Sequence, residues 1–200
     1  MRAVGRCGEQ QRKRGCEMKN LTGILLCSVA VLLLSAAATS SKSTQSSYAD
    51  DRAAIEDLEA RYMFALDFKD PETYGSTFTP DGVLDYGPVV KGRDAIKKVI
   101  AEMGQRAADQ AAKDTSGLWP SVGRHNISNI VIKVDGDHAT GRAYWFHYNN
   151  NTPKRAGVLD AFGIYEDDMV KVDGKWYFSK RKIYNEQVKD WIYTGANPAW

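Results

Sequence analysis

The sequence predicts an α+β fold, in which helices come first along the chain and an antiparallel sheet comes last. Two observations carry this prediction. Apolar residues recur every three or four positions in 50–68 and again in 92–103, as in amphipathic helices. Further along, Asp135-Gly136 and Asp173-Gly174 are turn signals that each separate two strand-like runs. The 200 residues, 43% of them hydrophobic, suit one globular domain with terminal extensions.

The first predicted helix spans 50–68, with Asp50 or Asp51 as its cap and Asp67 at its far end. The helix dipole disfavours a carboxylate there, so Asp67 in a pocket would need a partner. The polar stretch 104–123 is expected to extend the third helix in part and otherwise to form a lid-like loop. The other predicted elements are a helix at 71–78, a strand at 83–86, a helix at 92–103, strands at 124–134 and 139–148, and strands at 161–171 and 175–184.

The amino-terminal part of the chain has the three-part pattern of a secretory signal peptide. A basic residue precedes an apolar run, 21–38, which ends in small residues, and a Ser/Thr-rich linker, 39–48, follows. Met18 makes a tidier start than Met1, because a short basic segment then opens the signal. We therefore expect residues 1–38 to be removed and the protein to be exported, into a periplasm or out of the cell. The alternative is an uncleaved leader, which would be the protein's one expected membrane contact.

Removal of this leader changes what the composition implies. All three cysteines lie within it, so the mature domain would hold no disulfide and would depend on its core for stability. The leader also holds six of the 27 basic and two of the 25 acidic residues, which leaves a net charge of −2 for the rest of the chain. No basic patch remains, and nucleic acid is therefore not an expected partner.

Two of the chain's three histidines are placed symmetrically about Gly136. His125 lies eleven residues before it and His147 eleven residues after it. If Gly136 centres a three-residue loop, the two histidines are cross-strand partners on one face of the sheet. A change of one residue in the length of the turn would pair His125 with Tyr148 or Phe146 instead. The register of this hairpin therefore decides whether two imidazoles meet.

The same hairpin predicts a homodimer. Both of its strands carry apolar side chains at positions that alternate between the two faces. A sheet with one face in water would show polar residues on one side. We therefore expect the helices to cover one face and a second copy of the chain to cover the outer face.

Six short motifs, in this order of elements, resemble the SnoaL-like proteins of the nuclear transport factor 2-like superfamily. They are Arg61-Tyr62-x4-Asp67, Phe78-Thr79-Pro80-Asp81-Gly82, Gly92-Arg93-x-Ala95-Ile96, His125-Asn126-Ile127-Ser128-Asn129, Val134-Asp135-Gly136-Asp137-x-Ala139 and Asp173-Gly174-Lys175-Trp176-x4-Arg181. The resemblance covers 48–185 and implies a cone-shaped, curved antiparallel sheet wrapped around the amino-terminal helices. The domain would span 49–186, followed by a tail, 187–200, that receives no predicted structure.

The resemblance implies a lyase of the dehydratase type or an isomerase, similar to scytalone dehydratase, bile acid 7α-dehydratase and hexachlorocyclohexane dehydrochlorinase. In these enzymes an Asp at the end of the first helix orients a His on the sheet, and the His removes a proton. Carried onto this chain, Asp67 is the orienting carboxylate and His125 is the base. Tyr62 and Arg181 match polar groups that anchor the substrate or stabilise a leaving group.

These residue types suit proton abstraction. A neutral imidazole accepts a proton near pH 6.5, and a carboxylate on its other nitrogen fixes the tautomer and stabilises the imidazolium. A permanently charged Arg stabilises a leaving hydroxide, a halide or an enolate. The substrate would be a small, apolar, oxygenated or cyclic molecule in the cone, and no cofactor is expected. The residues expected to line the substrate site are His147, Tyr148, Tyr86 and Trp145.

Two other functions stay open. A non-catalytic module would hold an apolar ligand in the cone, which the abundance of aromatic residues fits equally well. A metal centre of His125, His147 and Asp67 is the other, although no local pair of histidines has ligand spacing. Simpler structural interpretations also exist. Tyr62 would then be a core residue, and Arg181 would be an ordinary strand residue paired with a nearby acid.

Overall fold

The computed structural model describes residues 46–199, and the structural statements below concern that part of the chain. The expected leader, 1–38, and most of the expected linker lie outside the described residues. Within the described part, no helix has the length and apolar character needed to cross a membrane.

A single six-stranded sheet forms the body of the domain, in the order β2-β1-β6-β5-β4-β3. Neighbouring strands pair antiparallel except β1 and β6, which are parallel. The predicted α+β class is confirmed, whereas the parallel pair and the short β2 were not predicted. In chain order the elements are α1 (Tyr48–Phe68), α2 (Pro71–Ser76), β1 (Phe78–Asp85), β2 (Val89–Lys91), α3 (Arg93–Ala112), β3 (Gly123–Asp135), β4 (His138–Asn149), β5 (Val158–Val172), β6 (Lys175–Asn185) and a 3₁₀ turn (Lys189–Trp191).

Helix α1 begins at a capping box. The Ser47 hydroxyl accepts from the backbone N–H of Asp50, and the Asp50 carboxylate accepts from the backbone N–H of Ser47. The predicted cap at Asp50 or Asp51 was therefore wrong. Asp51 is buried instead, where its carboxylate accepts from the Trp176 indole (3.0 Å) and pairs with Lys171. This contact ties the start of α1 to β5 and β6.

The core lies between α1 and the inner face of the sheet. The apolar stripe of α1, namely Ile55, Leu58, Tyr62 and Leu66, is buried against side chains from every long strand. A fully buried aliphatic or aromatic side chain contributes about 1.5–3 kcal/mol, so this stripe holds the helix in place. Its strand partners include Phe78, Leu84, Ile132, Trp145, Tyr165, Met169, Trp176 and Phe178.

The turn between β3 and β4 is one residue shorter than predicted. Asp135 pairs with His138, so the loop consists of Gly136 and Asp137 alone. Gly136 has a φ of 59°, which glycine adopts at little cost. With this loop and no further irregularity, the register would bring His125 opposite the neighbour of His147.

A β-bulge in β3 restores the register. Asn129 and Ile130 together stand opposite the single residue Ala143, and Asn129 takes a φ of 53°. Beyond the bulge His125 pairs with His147. The predicted pairing of the two histidines is confirmed. It arises, however, because the shorter turn and the bulge shift the register by one residue in opposite directions.

The bulge also changes which side chains face outward. It brings Ile127, Ile130, Ile132 and Val134 together on the core side of β3, so the prediction of two apolar faces is wrong for that strand. The outer face of β4 and β5 does carry exposed apolar side chains. They are Tyr144 (50% exposed), Tyr148 (49%), Leu159 (49%) and Phe162 (40%).

The tail after β6 runs across this outer face of the sheet. The Trp191 ring lies against Gly87, where an added Cβ would come within 2.1 Å of it. Tyr193 meets the ring of Tyr184 edge-on, with 5.0 Å between centroids, and Pro198 reaches a small cavity beside β4 and β5. The chain's own tail therefore covers part of the surface that was expected to face a partner.

Candidate active site

The last turn of α1 delivers a carboxylate to the start of β3. Asp67 Oδ1 lies 2.6 Å from Nδ1 of His125, and the backbone N–H of His125 donates to both carboxylate oxygens at 3.1 Å. The Asp67 side chain is only 5% exposed. A carboxylate accepts only, so the ring proton is on Nδ1 and the lone pair is on Nε2. The two residues assigned as base and orienting carboxylate are therefore in direct contact.

The surroundings of His125 favour its neutral form. Burial lowers the pKa of the His125 imidazole, and the nearby His147 and Lys69 act in the same direction. The hydrogen bond to Asp67 opposes them without reversing the shift. The ring is therefore ready to accept a proton at neutral pH.

A second His–Asp pair lies against the first. The ring of His147 has its centroid 4.3 Å from that of His125, and its Nδ1 is 2.6 Å from Asp160 Oδ1. The side-chain amide of Asn149 donates to the other oxygen of Asp160. Asp160 is the extra residue of a bulge in β5. Sequence reasoning missed Asp160, because the predicted strand began at 161 and only the bulge aims this carboxylate at His147.

Gly123 and Trp145 complete the surroundings of the two rings. A Cβ added at Gly123 would lie 2.2 Å from Nε2 of His147, so the ring uses the space that glycine leaves. Trp145 is buried, with its ring 6.2 Å from that of His125 and stacked on Tyr165. Trp145 therefore lies beside the dyads, on the same face of the sheet as His147.

Tyr148 and Tyr86 do not join this group. Tyr148 follows His147 along the strand, so it faces the opposite side of the sheet and is 49% exposed on the outer surface. The expectation that it shares a pocket with His125 is wrong for that reason. Tyr86 is half-buried against the core, and its ring meets Trp191 of the tail edge-on.

Arg181 and Tyr62 lie in the interior of the core. Arg181 is fully buried, with Nε and Nη2 donating to Asp167 at 2.7 and 2.8 Å and Nη2 also bonded to Glu59. Its guanidinium carbon lies 4.0–4.3 Å from three ring centroids, those of Tyr62, Tyr165 and Phe178. Tyr62 is also fully buried and accepts from the Tyr74 hydroxyl at 2.7 Å. This placement corrects the expected anchoring role, because both polar groups are used within the core.

Glu59 is the second carboxylate that contacts the guanidinium of Arg181. Burial raises the pKa of Glu59 to about 8, and the charge of Asp167 adds to this while Arg181 opposes it. Two carboxylates therefore share one buried cation, and Asp167 accepts from the guanidinium through both of its oxygens. The buried Nη1 of Arg181 makes no hydrogen bond within the described residues. The faces of the surrounding aromatic rings stabilise the guanidinium charge instead.

A cavity of about 770 Å³ opens next to the hairpin, between the end of α3 and two loops. The first loop, 113–122, leads directly into β3, and α3 before it runs on to Ala112, as expected in part. Arg155 joins this loop to the second one, since its Nη2 pairs with Asp114 at 2.6 Å and its Nε donates to the Trp119 carbonyl at 2.9 Å.

The alternative metal centre lacks a ligand set. Among residues 46–199, no three His, Cys, Asp or Glu side chains come together as a group that could hold a metal ion. Each of the two imidazoles instead uses Nδ1 for a carboxylate hydrogen bond.

The comparisons with known proteins agree with this architecture. A Mycobacterium tuberculosis protein of uncharacterised function is 28% identical over 134 residues, which cover 66% of this chain and 82% of that protein. A solved structure provisionally named a scytalone dehydratase, from Novosphingobium aromaticivorans, is 28% identical, with a TM-score of 0.55, over 75% of this chain and 93% of that one.

The fold itself recurs at lower identity. A nuclear transport factor 2-like protein with a cystatin-like fold, also from Novosphingobium aromaticivorans, has a TM-score of 0.56 at 22% identity, over 68% of this chain and 81% of that one. The sequence model of the SnoaL-like domain matches residues 47–182, which is more than half of the chain. This protein therefore belongs to the SnoaL-like domain family.

Proposed function

We propose that this protein removes a proton from a small, apolar, oxygenated or cyclic molecule, in a cofactor-independent elimination of the dehydratase type or in an isomerisation. The family fold binds or transforms small molecules, which supports the class of function. The contact of 2.6 Å between Asp67 and Nδ1 of His125 is the observation that carries the proposal. His125 acts as the general base and Asp67 as the residue that orients it.

The geometry supplies each part of that step. Asp67 fixes the Nδ1–H tautomer, so Nε2 of His125 presents a lone pair to an acidic C–H bond. Burial keeps the ring neutral before the reaction. When the ring takes the proton, the adjacent carboxylate stabilises the imidazolium that forms.

The test is turnover of a panel of small β-hydroxy ketones and cyclic alcohols, with loss of water followed by mass spectrometry. His125→Gln and Asp67→Asn should each lower kcat/KM by about 100-fold or more, the usual contribution of a general base. His138→Gln is the matched control, because His138 is exposed at the hairpin turn. Full activity in either dyad variant would exclude the assignment.

A ligand-binding module without catalysis is the second candidate, and the large cavity beside the hairpin favours it. It predicts that His125→Gln binds the same ketones as tightly as the wild type and that neither forms a product. Isothermal titration with the panel separates the two functions.

We also propose that the protein is exported and that it forms a homodimer. The apolar run near the amino terminus supports export. The exposed aromatic side chains on the outer face of β4 and β5 support the homodimer.

A further inference from the structure

Two phenyl rings stand side by side on the solvent face of α1. Phe64 is 66% exposed and Phe68 is 65% exposed, more than any other large apolar side chain in the described part of the chain. Their rings stack with 6.4 Å between centroids. Single apolar residues on a surface are ordinary, whereas an adjacent pair exposed to this degree is typical of a contact surface. The opposite face of α1 already fills the core, so these rings can only contact something outside the domain.

The helix face that precedes the rings is small and positively charged. Ala60 is exposed one turn before Phe64, and Arg61 is exposed beside it. Asp57, one turn before Arg61, is an exposed acid on the same face. The acid therefore lies toward the start of the helix, while the end of the helix presents aromatic area and a cation.

Two further cations lie beside the rings. The guanidinium carbon of Arg124 is 4.9 Å from the centroid of Phe68. Lys69 follows Phe68, and its amine donates to the Leu66 carbonyl at 2.8 Å. Burial lowers the pKa of Lys69; Asp67 opposes this, and the nearby charge of Arg124 adds to it. The two positive charges are therefore close to each other as well as to the aromatic pair.

These positive charges have no carboxylate bound to them. Among residues 46–199, Arg61, Lys69 and Arg124 form no ion pair. The carboxylates at the end of α1 have other partners, because Asp67 bonds the imidazole of the dyad and Asp70 caps α2. The surface thus combines exposed aromatic area with three cations, and its matching partner is apolar and negatively charged.

We propose that this aromatic–cation surface, formed by Arg61, Phe64, Phe68, Lys69 and Arg124, docks on an anionic lipid membrane. The phenyl rings enter the boundary between headgroups and acyl chains, and the cations meet the lipid phosphates. A protein partner would need an acidic and apolar patch of matching shape. A membrane offers both features over any area, so it needs no such match.

The aromatic–cation surface borders the candidate dyad. Phe68 follows Asp67 in α1, and Arg124 precedes His125 in β3. Docking would hold the dyad close to the apolar layer, in which small apolar molecules collect. This consequence for the substrate rests on the function proposed above, whereas the docking itself does not.

Docking is tested by flotation of the chain 39–200 with lipid vesicles. The core and all six strands lie within 46–199, and this form lacks the apolar run 21–38, which would bind vesicles by itself. One set of vesicles contains phosphatidylcholine alone, and the other contains an equal amount of phosphatidylglycerol as well. The wild type should float with the mixed vesicles, bind them less tightly at high salt, and stay free of phosphatidylcholine alone.

Loss of one ring or one cation should weaken the docking. Phe64→Ser should lower partition onto the mixed vesicles about tenfold, because less apolar area leaves water. Arg124→Gln should lower it about fivefold. Val89→Ser and Lys133→Gln are the matched controls and should partition like the wild type. Val89 is 56% exposed at the far edge of the sheet, and Lys133 is exposed toward the other end of the strand that carries Arg124.

A wild type that binds neither kind of vesicle would overturn the proposal. Binding that Phe64→Ser and Arg124→Gln leave unchanged would overturn it too, because the lipid contact would then lie elsewhere. A wild type that binds no vesicle, together with loss of self-association in Phe64→Ser, would assign the surface to a second copy of the chain instead. None of these measurements needs a substrate, so the docking and the proposed function fail separately.

Discussion

A carboxylate in the last turn of a helix meets the negative end of the helix dipole, and Asp67 occupies that position in α1. Three hydrogen bonds from His125, one from the ring and two from the backbone N–H, compensate for this. The helix gains nothing locally from Asp67. The residue is explained by its partner on β3 and by the chemistry proposed for that partner.

Glu59 should make the stability of the protein depend on pH. Its folded pKa of about 8 lies above the ordinary value of 4.5, so the folded state binds more protons than the unfolded state between these values. The free energy of unfolding should therefore fall as pH rises through this window, by up to about 1.4 kcal/mol per pH unit. Glu59→Gln should remove this slope in urea unfolding, whereas Glu56→Gln, on the exposed side of the same helix, should keep it. An unchanged slope in Glu59→Gln would contradict the assignment.

Replacement of Arg181 should lower the free energy of unfolding, because Arg181 is bonded within the core and not at the candidate active site. Arg181→Met leaves Asp167 and Glu59 buried without their cation, which should cost about 3–5 kcal/mol in the free energy of unfolding. Chemical denaturation measures this loss. A variant as stable as the wild type but inactive would show that Arg181 serves the substrate after all.

At the scale of elements, local patterns predicted α1 and both hairpins. The stripe of Ile55 and Leu58 and the two Asp-Gly turns are encoded within short windows, and the structure confirms them. The bulges at Asn129 and Asp160 were not predictable, because a bulge depends on the partner strand as much as on its own sequence.

The candidate site, like the elements, was predictable only in part. Asp67 and His125 are 58 positions apart, and only the resemblance to a known family suggested their pairing. Asp160 belongs to no motif of that resemblance. It was found only through the geometry of the bulge that carries it.

The β3 bulge should be sensitive to the residue in its left-handed position. Asn129 has a φ of 53°, which Asn tolerates and most other residues do not. Asn129→Ala should lower the free energy of unfolding by about 1–2 kcal/mol. Asn129→Gly, which removes the steric cost, should stay close to the wild type. Equal effects in thermal unfolding would mean that the left-handed conformation does not limit this site.

At the scale of the whole molecule, the outer face is shared between the tail and a proposed second copy. The tail lies over β6 and the neighbouring parts of β4 and β5, while Tyr148, Leu159 and Phe162 stay exposed. A cavity of about 490 Å³ is lined by these same side chains. The proposed dimer contact is therefore confined to the uncovered end of the face.

Equilibrium sedimentation tests the dimer. The wild type should be dimeric, and Phe162→Asp should shift it to monomer, because a charge would be buried in an apolar contact. Val89→Asp changes an apolar residue that is more exposed than Phe162 (56% against 40%) and lies at the far edge of the sheet, and this variant should stay dimeric. A monomeric wild type would rule out this interface.

Proton abstraction by His125 is the central claim, and exchange of a substrate C–H bond with solvent measures it most directly. A small cyclic ketone is incubated with the protein in D₂O, and loss of its α-proton signal is followed by NMR. The wild type should exchange the proton about 100-fold or more faster than His125→Gln, with His138→Gln equal to the wild type. Equal exchange rates in the wild type and in His125→Gln would contradict the account.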